Sequence, residues 1–237
     1  MSKTQIPTGG ITADAINGTL IADDAINSEH YTDGSIDTAH IGDDQVTAAK
    51  ATGVGGLTLI SRTALSNANS TAITGCFSST YADYLMMITN CQVETDGASV
   101  DFRFGTSGTA DTGTYYAYAF QGYTMENSEK RNYPTNNVNA GRLFYSLDNG
   151  STSGGSGVFY IQNPNGGNQL KAITGSYCGS NSDSNTELTT YNMGAWYYAS
   201  SAPNFTDITI FSTSGNLRAG STSNNNGVVA IYGITKS

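Results

Sequence analysis

Between Ile11 and Lys50 a large apolar side chain returns at every fifth position. Written in rows of ten, Ile11, Ile21, Tyr31 and Ile41 share one column, and Ile16, Ile26, Ile36 and Val46 share another. Asp14, Asp24 and Asp44 also align, with Gly34 in the remaining row of their column. This spacing excludes the two ordinary elements. At about 100° per residue, five steps along a helix turn the side chain by about 140°, so the isoleucines scatter around the cylinder instead of forming a seam. In a strand, an odd spacing sends successive isoleucines to opposite faces. What remains is a chain that bends once per repeat, so that each apolar residue points at one axis.

Two architectures do this. A single chain can coil on itself, as pentapeptide-repeat solenoids do, but that pattern places Ala two residues before the central apolar position. Here Asp14 and Asp24 stand there, and Ala15 and Ala25 come one residue later. The segment would also give only about two coils, fewer than the three or so repeats a solenoid needs. Alternatively, three identical chains wrap one another and share an axial core. The segment has too little apolar surface to fold alone, and sister chains would supply the rest. On this reading Ile11, Ile16, Ile21, Ile26, Tyr31, Ile36, Ile41 and Val46 pack along a trimer axis. The competing reading is an acidic disordered linker.

From Leu57 onward the pattern changes. ASVDFRF (98–104) alternates, with Val100, Phe102 and Phe104 on one face and Asp101 and Arg103 on the other. YADYLMMITNCQV (81–93) is an apolar run suited to a buried strand. Further strands are expected at 57–61, 113–123, 141–147, 156–163, 170–178, 194–200, 205–213 and 228–237, separated by turns rich in Gly, Asn and Ser. About ten short strands without a useful helix predict an all-β protein, with a jelly-roll-like β-sandwich head behind a fibrous trimeric repeat. The expected organisation is an attachment tail at 1–10, a repeat shaft at 11–53 and a head at 54–237.

Charge narrows the partners. The net charge is −9, of which residues 1–50 carry −6. No basic stripe is present to displace counterions, which argues against nucleic acid. The longest strongly apolar stretch, YLMMI at 84–88, is far too short to span a bilayer, so no membrane insertion is expected. No apolar signal segment follows Met1, and synthesis in a cytoplasm is expected. Cys76, Cys91 and Cys178 show no metal-type spacing and read as buried small apolar residues.

Two stretches carry a resemblance. DGSIDTAHIGDDQVTAAK (33–50) resembles repeats in the slender shafts of bacteriophage tail fibres. The closing strand with Tyr232, Gly233 and Ile234, together with YADYLMMI and VDFRFGTSG, resembles the C-terminal head of such fibres and similar virion appendages. The resemblance implies a structural virion protein: a homotrimer joined to other tail or capsid proteins through its N-terminal segment. Its head would touch a host-surface glycan or protein. It implies no cofactor and no catalysis. Two alternatives stand beside a tail fibre: a capsid fibre, decoration or tail adaptor protein, and a polysaccharide depolymerase.

Candidates for chemistry are few. His30 and His40 sit one repeat apart, which fits a structural role better than a triad. Glu94 and Asp96, and Glu126 and Glu129, read as solvated turns rather than glycosidase pairs. Residues 181–187 carry alternate oxygen side chains but lack the Gly and Glu of a calcium loop. Recognition is the better prospect. Aromatic residues cluster at Tyr115, Tyr116, Tyr118, Phe120 and Tyr123 and again at Trp196, Tyr197 and Tyr198. Strand parity requires one of Tyr115 and Tyr116, and one of Trp196 and Tyr197, to face the core. The outward members are candidates for stacking on receptor sugars.

Overall fold

The computed structural model describes residues 9–12, 21, 26, 28–36, 39–42, 56–124, 130–150, 153–180, 188–218 and 227–234. The chain divides into two units, Met1–Val54 and Gly55–Ser237.

In the first unit the described residues form short turns, including a 3-10 turn at Ser28–His30. Ser35 N–H donates to the Thr32 carbonyl at 2.9 Å. Gly34 in that turn has φ of 78°, a left-handed conformation that a side chain resists. This accounts for the glycine that breaks the aspartate column. Ile11, Ile21, Ile26, Tyr31, Ile36 and Ile41 are all between 36% and 50% exposed in the single chain. Ile16 and Val46 lie outside the described residues.

The second unit is all-β. Its strands are β1 (Leu57–Ala64), β2 (Ser70–Ile73), β3 (Asp83–Val93), β4 (Ala98–Thr106), β5 (Thr109–Ala110), β6 (Tyr116–Thr124) and β7 (Lys130–Val138). They continue as β8 (Gly141–Leu147), β9 (Gly155–Gln162), β10 (Lys171–Ser180), β11 (Leu188–Tyr197), β12 (Asp207–Ser212), β13 (Leu217–Arg218) and β14 (Val228–Ile234). The large sheet runs β1-β14-β3-β9-β10-β11-β6-β7, with β13 beside β3. The small sheet runs β2-β12-β4-β5, with β8 also on β4. Among the described residues every strand pair is antiparallel, and there is no α-helix.

Alternation explains how the two sheets share one core. Val100, Phe102 and Phe104 on β4 point inward, as the sequence pattern requires. Phe102 meets Tyr116 of the large sheet edge-on at 5.9 Å between ring centroids. Phe144 on β8 meets Phe159 on β9 at 5.6 Å and Tyr177 on β10 at 4.8 Å. Buried tyrosines also close backbone groups that no ladder reaches. The Tyr116 hydroxyl accepts from Phe104 N–H at 3.0 Å, and the Tyr177 hydroxyl accepts from Tyr145 N–H at 2.8 Å. The Tyr84 hydroxyl both accepts from and donates to the Ser78 backbone. A buried phenol thus supplies apolar area and a polar tip at once at these three positions.

Asp207, at the start of β12, is a second fastening point. Its carboxylate accepts from Gly75 N–H, Gly108 N–H and the Thr206 hydroxyl. Burial pushes its pKa up, but these donors outweigh burial and hold it below the ordinary carboxylate value. In the YGI sequence of β14, the Tyr81 ring lies so close to Gly233 that a Cβ there would approach the ring to 2.5 Å.

Candidate functional site

The outer face of the large sheet changes character across its width. On β10, β11, β6 and β7, Ser176 lies opposite Asn192, Asn192 opposite Gln121, and Gln121 opposite Asn132. Adjacent strands are about 4.8 Å apart, so three amides stand side by side. The next row along the strands is Thr174, Gly194, Ala119 and Pro134. Its small side chains leave a shallow depression of about 360 Å³ lined by Ala119, Gln121, Asn132, Asn192 and Gly194. One row further, Trp196 leans back over Gly194: a Cβ on Gly194 would meet the indole at 3.3 Å. On the other side of the amides, Tyr123 stands opposite Thr190. Trp196 and Tyr123 are both exposed and bracket about 20 Å of sheet.

None of the residues lining the depression is charged. Among the described residues, no hydrogen bond takes up the three side-chain amides. Each amide offers two donors and one carbonyl acceptor. A flat apolar ring beside a row of such groups suits a neutral ligand with an apolar face and hydroxyl edges.

The aromatic candidates sort by parity. Tyr115, Tyr123, Trp196 and Tyr198 are exposed. Tyr116 and Tyr197 are fully in the core and are removed from the candidate set. The Tyr197 hydroxyl donates to Asp111 at 2.8 Å, and burial, then the nearby carboxylate, hold its pKa well above the usual phenol range. Tyr118 also points inward and is removed. The Arg142 guanidinium covers its ring at 5.0 Å while pairing with Asp101 at 2.8 Å. Burial raises the Asp101 pKa in spite of that partner. Tyr198 belongs to a separate end cluster, where its N–H donates to the Tyr115 carbonyl and its hydroxyl bonds the Asn137 side chain. The outer face therefore keeps Trp196 and Tyr123 and gains Gln121, Asn132 and Asn192, which sequence reasoning missed.

Of the three cysteines expected to be buried, Cys76 and Cys91 are, and burial pushes both thiols up to about 12. Cys178 is exposed, because its position on β10 faces outward. Glu94 accepts from Asn216 N–H at 3.1 Å and so serves the fold. Glu126, Glu129 and the oxygen-rich run at 181–187 lie outside the described residues. Among the described residues no cluster of His, Cys, Asp or Glu could hold a metal ion, and no helix is long and apolar enough to cross a membrane.

Compared with known proteins, the chain matches no family model, no curated protein and no solved structure.

Proposed function

We propose that the chain is a structural virion protein: a trimeric tail fibre or spike of a phage whose C-terminal head contacts a glycan on the host surface. The observation that carries this reading is the set of repeat isoleucines, exposed in the single chain at five-residue spacing, ahead of a body that buries its own core. Apolar columns of that kind call for cover from sister chains. The N-terminal segment would dock on other virion proteins.

Strand order supports a jelly-roll reading of the head. β1, β14, β3 and β9 fall in one sheet and β2, β12, β4 and β8 in the other, with their antiparallel neighbours in the order a wrapped ribbon gives. On this reading β6-β7 and β10-β11 are hairpins inserted into the eight-strand frame. They widen the large sheet, and the amide row with Trp196 and Tyr123 sits on them. The glycan partner is neutral, with an apolar ring face on Trp196 and hydroxyls on Gln121, Asn132 and Asn192. Three copies per fibre would gain avidity from weak individual sites.

The test is binding of the full chain to immobilised bacterial surface polysaccharides, with Trp196→Ala and Gln121→Ala as controls. Retention that each substitution weakens about tenfold fits a contact worth about 1.4 kcal/mol. Retention unaffected by either substitution contradicts the site. Release of reducing ends would replace the binding reading with a depolymerase.

A further inference from the structure

The outer face of the other half of the large sheet, on β1, β14, β3 and β9, is mainly apolar, with Gln162 and Asp83 in its end row. Leu59 lies opposite Tyr232, Tyr232 opposite Leu85, and Leu85 opposite Tyr160. In a neighbouring row, Ala230 lies opposite Met87 and Met87 opposite Val158. Leu57, Leu59, Met87 and Val158 are exposed, Leu59 at 52%. Beside Met87 and Val158 a second depression of about 340 Å³ is lined by Thr89, Ser156, Ser176 and Cys178. An apolar patch of a few hundred Å² on a sheet face is of the size that often serves as a contact surface.

We propose that this face, the outer side of β1, β14, β3 and β9, packs against sister copies of the same chain. The inference rests on the trimer reading above. Three features select a second copy over another occupant. Charge is the first. A chain carrying −9 repels its copies, and the rows of this patch hold one charge of each sign, so the patch adds nothing to that repulsion. Its rows carry only Arg62, at one edge, and Asp83, which accepts the Tyr160 hydroxyl at 2.8 Å. Connectivity is the second. β1 carries Leu57 and Leu59 and is the first strand after the repeat. Leu57 follows Val46 by eleven residues, so it lies within about 40 Å of chain from the last apolar repeat position. Size is the third. Four strands by about four alternate rows span roughly 15 by 20 Å, well under the roughly 800 Å² per partner of a freestanding interface. Such a contact forms only between tethered copies, which a trimeric repeat provides through effective concentration. The amide row on the inserted hairpins then stays open to a ligand.

Cys178 reports on this directly. Cys76 and Cys91 are buried and silent to a thiol reagent, and Cys178 lines the depression beside the patch. The experiment measures Cys178 modification by a maleimide in the full chain, with the solution mass taken on the same sample. Leu59→Asp and Met87→Asp are compared with the native chain, each checked for native circular dichroism. Expected is a mass near three chains, with Cys178 reacting about tenfold slower in the native chain than in either variant. Equal rates, fast or slow, at a mass near three chains overturn the face assignment and leave the trimer reading standing. A mass of one chain overturns the trimer reading itself, and the face assignment with it.

Discussion

The same residue type has opposite fates in the two units. Ile88, Ile161, Ile173, Ile208, Ile210 and Ile231 of the second unit are each 0% exposed. Ile11, Ile21, Ile26, Ile36 and Ile41 of the first are 36% to 47% exposed. Spacing explains the difference. In the second unit apolar residues alternate, so a strand gives one face to a core that the opposite sheet completes. In the first, the described isoleucines recur at multiples of five residues and are exposed in the single chain. The second unit buries its own core, and for the first we propose that sister chains supply the cover.

The largest effect that sharpens this contrast is inside the second unit. Phe144→Ala removes a ring packed between Phe159 and Tyr177, and costs about 3–5 kcal/mol of stability. Denaturant unfolding followed by the single tryptophan, Trp196, measures it. A loss under about 1 kcal/mol would mean that the two sheets do not depend on a common core.

Asp207→Asn comes next, at about 1–2 kcal/mol, because the Gly75 and Gly108 backbone donors lose an ionised acceptor in a partly buried site. The folded pKa of Asp207 lies below its ordinary value of 3.8. Its contribution is therefore complete above that value and disappears as pH falls through the folded pKa. The stability difference between native chain and variant shrinks on acidification below about pH 4. A difference constant down to pH 2 would contradict the carboxylate's role.

The smallest effect is Trp196→Ala. The indole stands on the outer face, so stability changes by no more than about 0.5 kcal/mol while glycan retention falls. Loss of stability comparable to Phe144→Ala would place the indole in the core rather than on the ligand face.

Much of the second unit was legible because alternation is a local signal. Val100, Phe102 and Phe104 announced their face, and the apolar run 84–88 announced a buried strand. β7 was missed because KRNYPTNNV is polar and holds Pro134, which only an edge strand tolerates, and β7 is indeed the last strand of its sheet. The first half of β11 and all of β2 were missed for want of apolar alternation. Parity showed that one of each aromatic pair was buried, but not which one, since that depends on which sheet covers the strand. The row of Asn192, Gln121 and Asn132 was beyond sequence reasoning. It exists only through register between strands far apart in the chain.

The central claim is that the repeat columns are covered by sister chains. Solution mass of the full chain, with and without the double substitution Ile21→Asp and Ile26→Asp, tests it most directly. The account predicts three chains for the native protein and one for the variant, with the second unit of the variant still unfolding cooperatively as a folded domain. A native protein that runs as one chain, or a variant that stays at three, would contradict it.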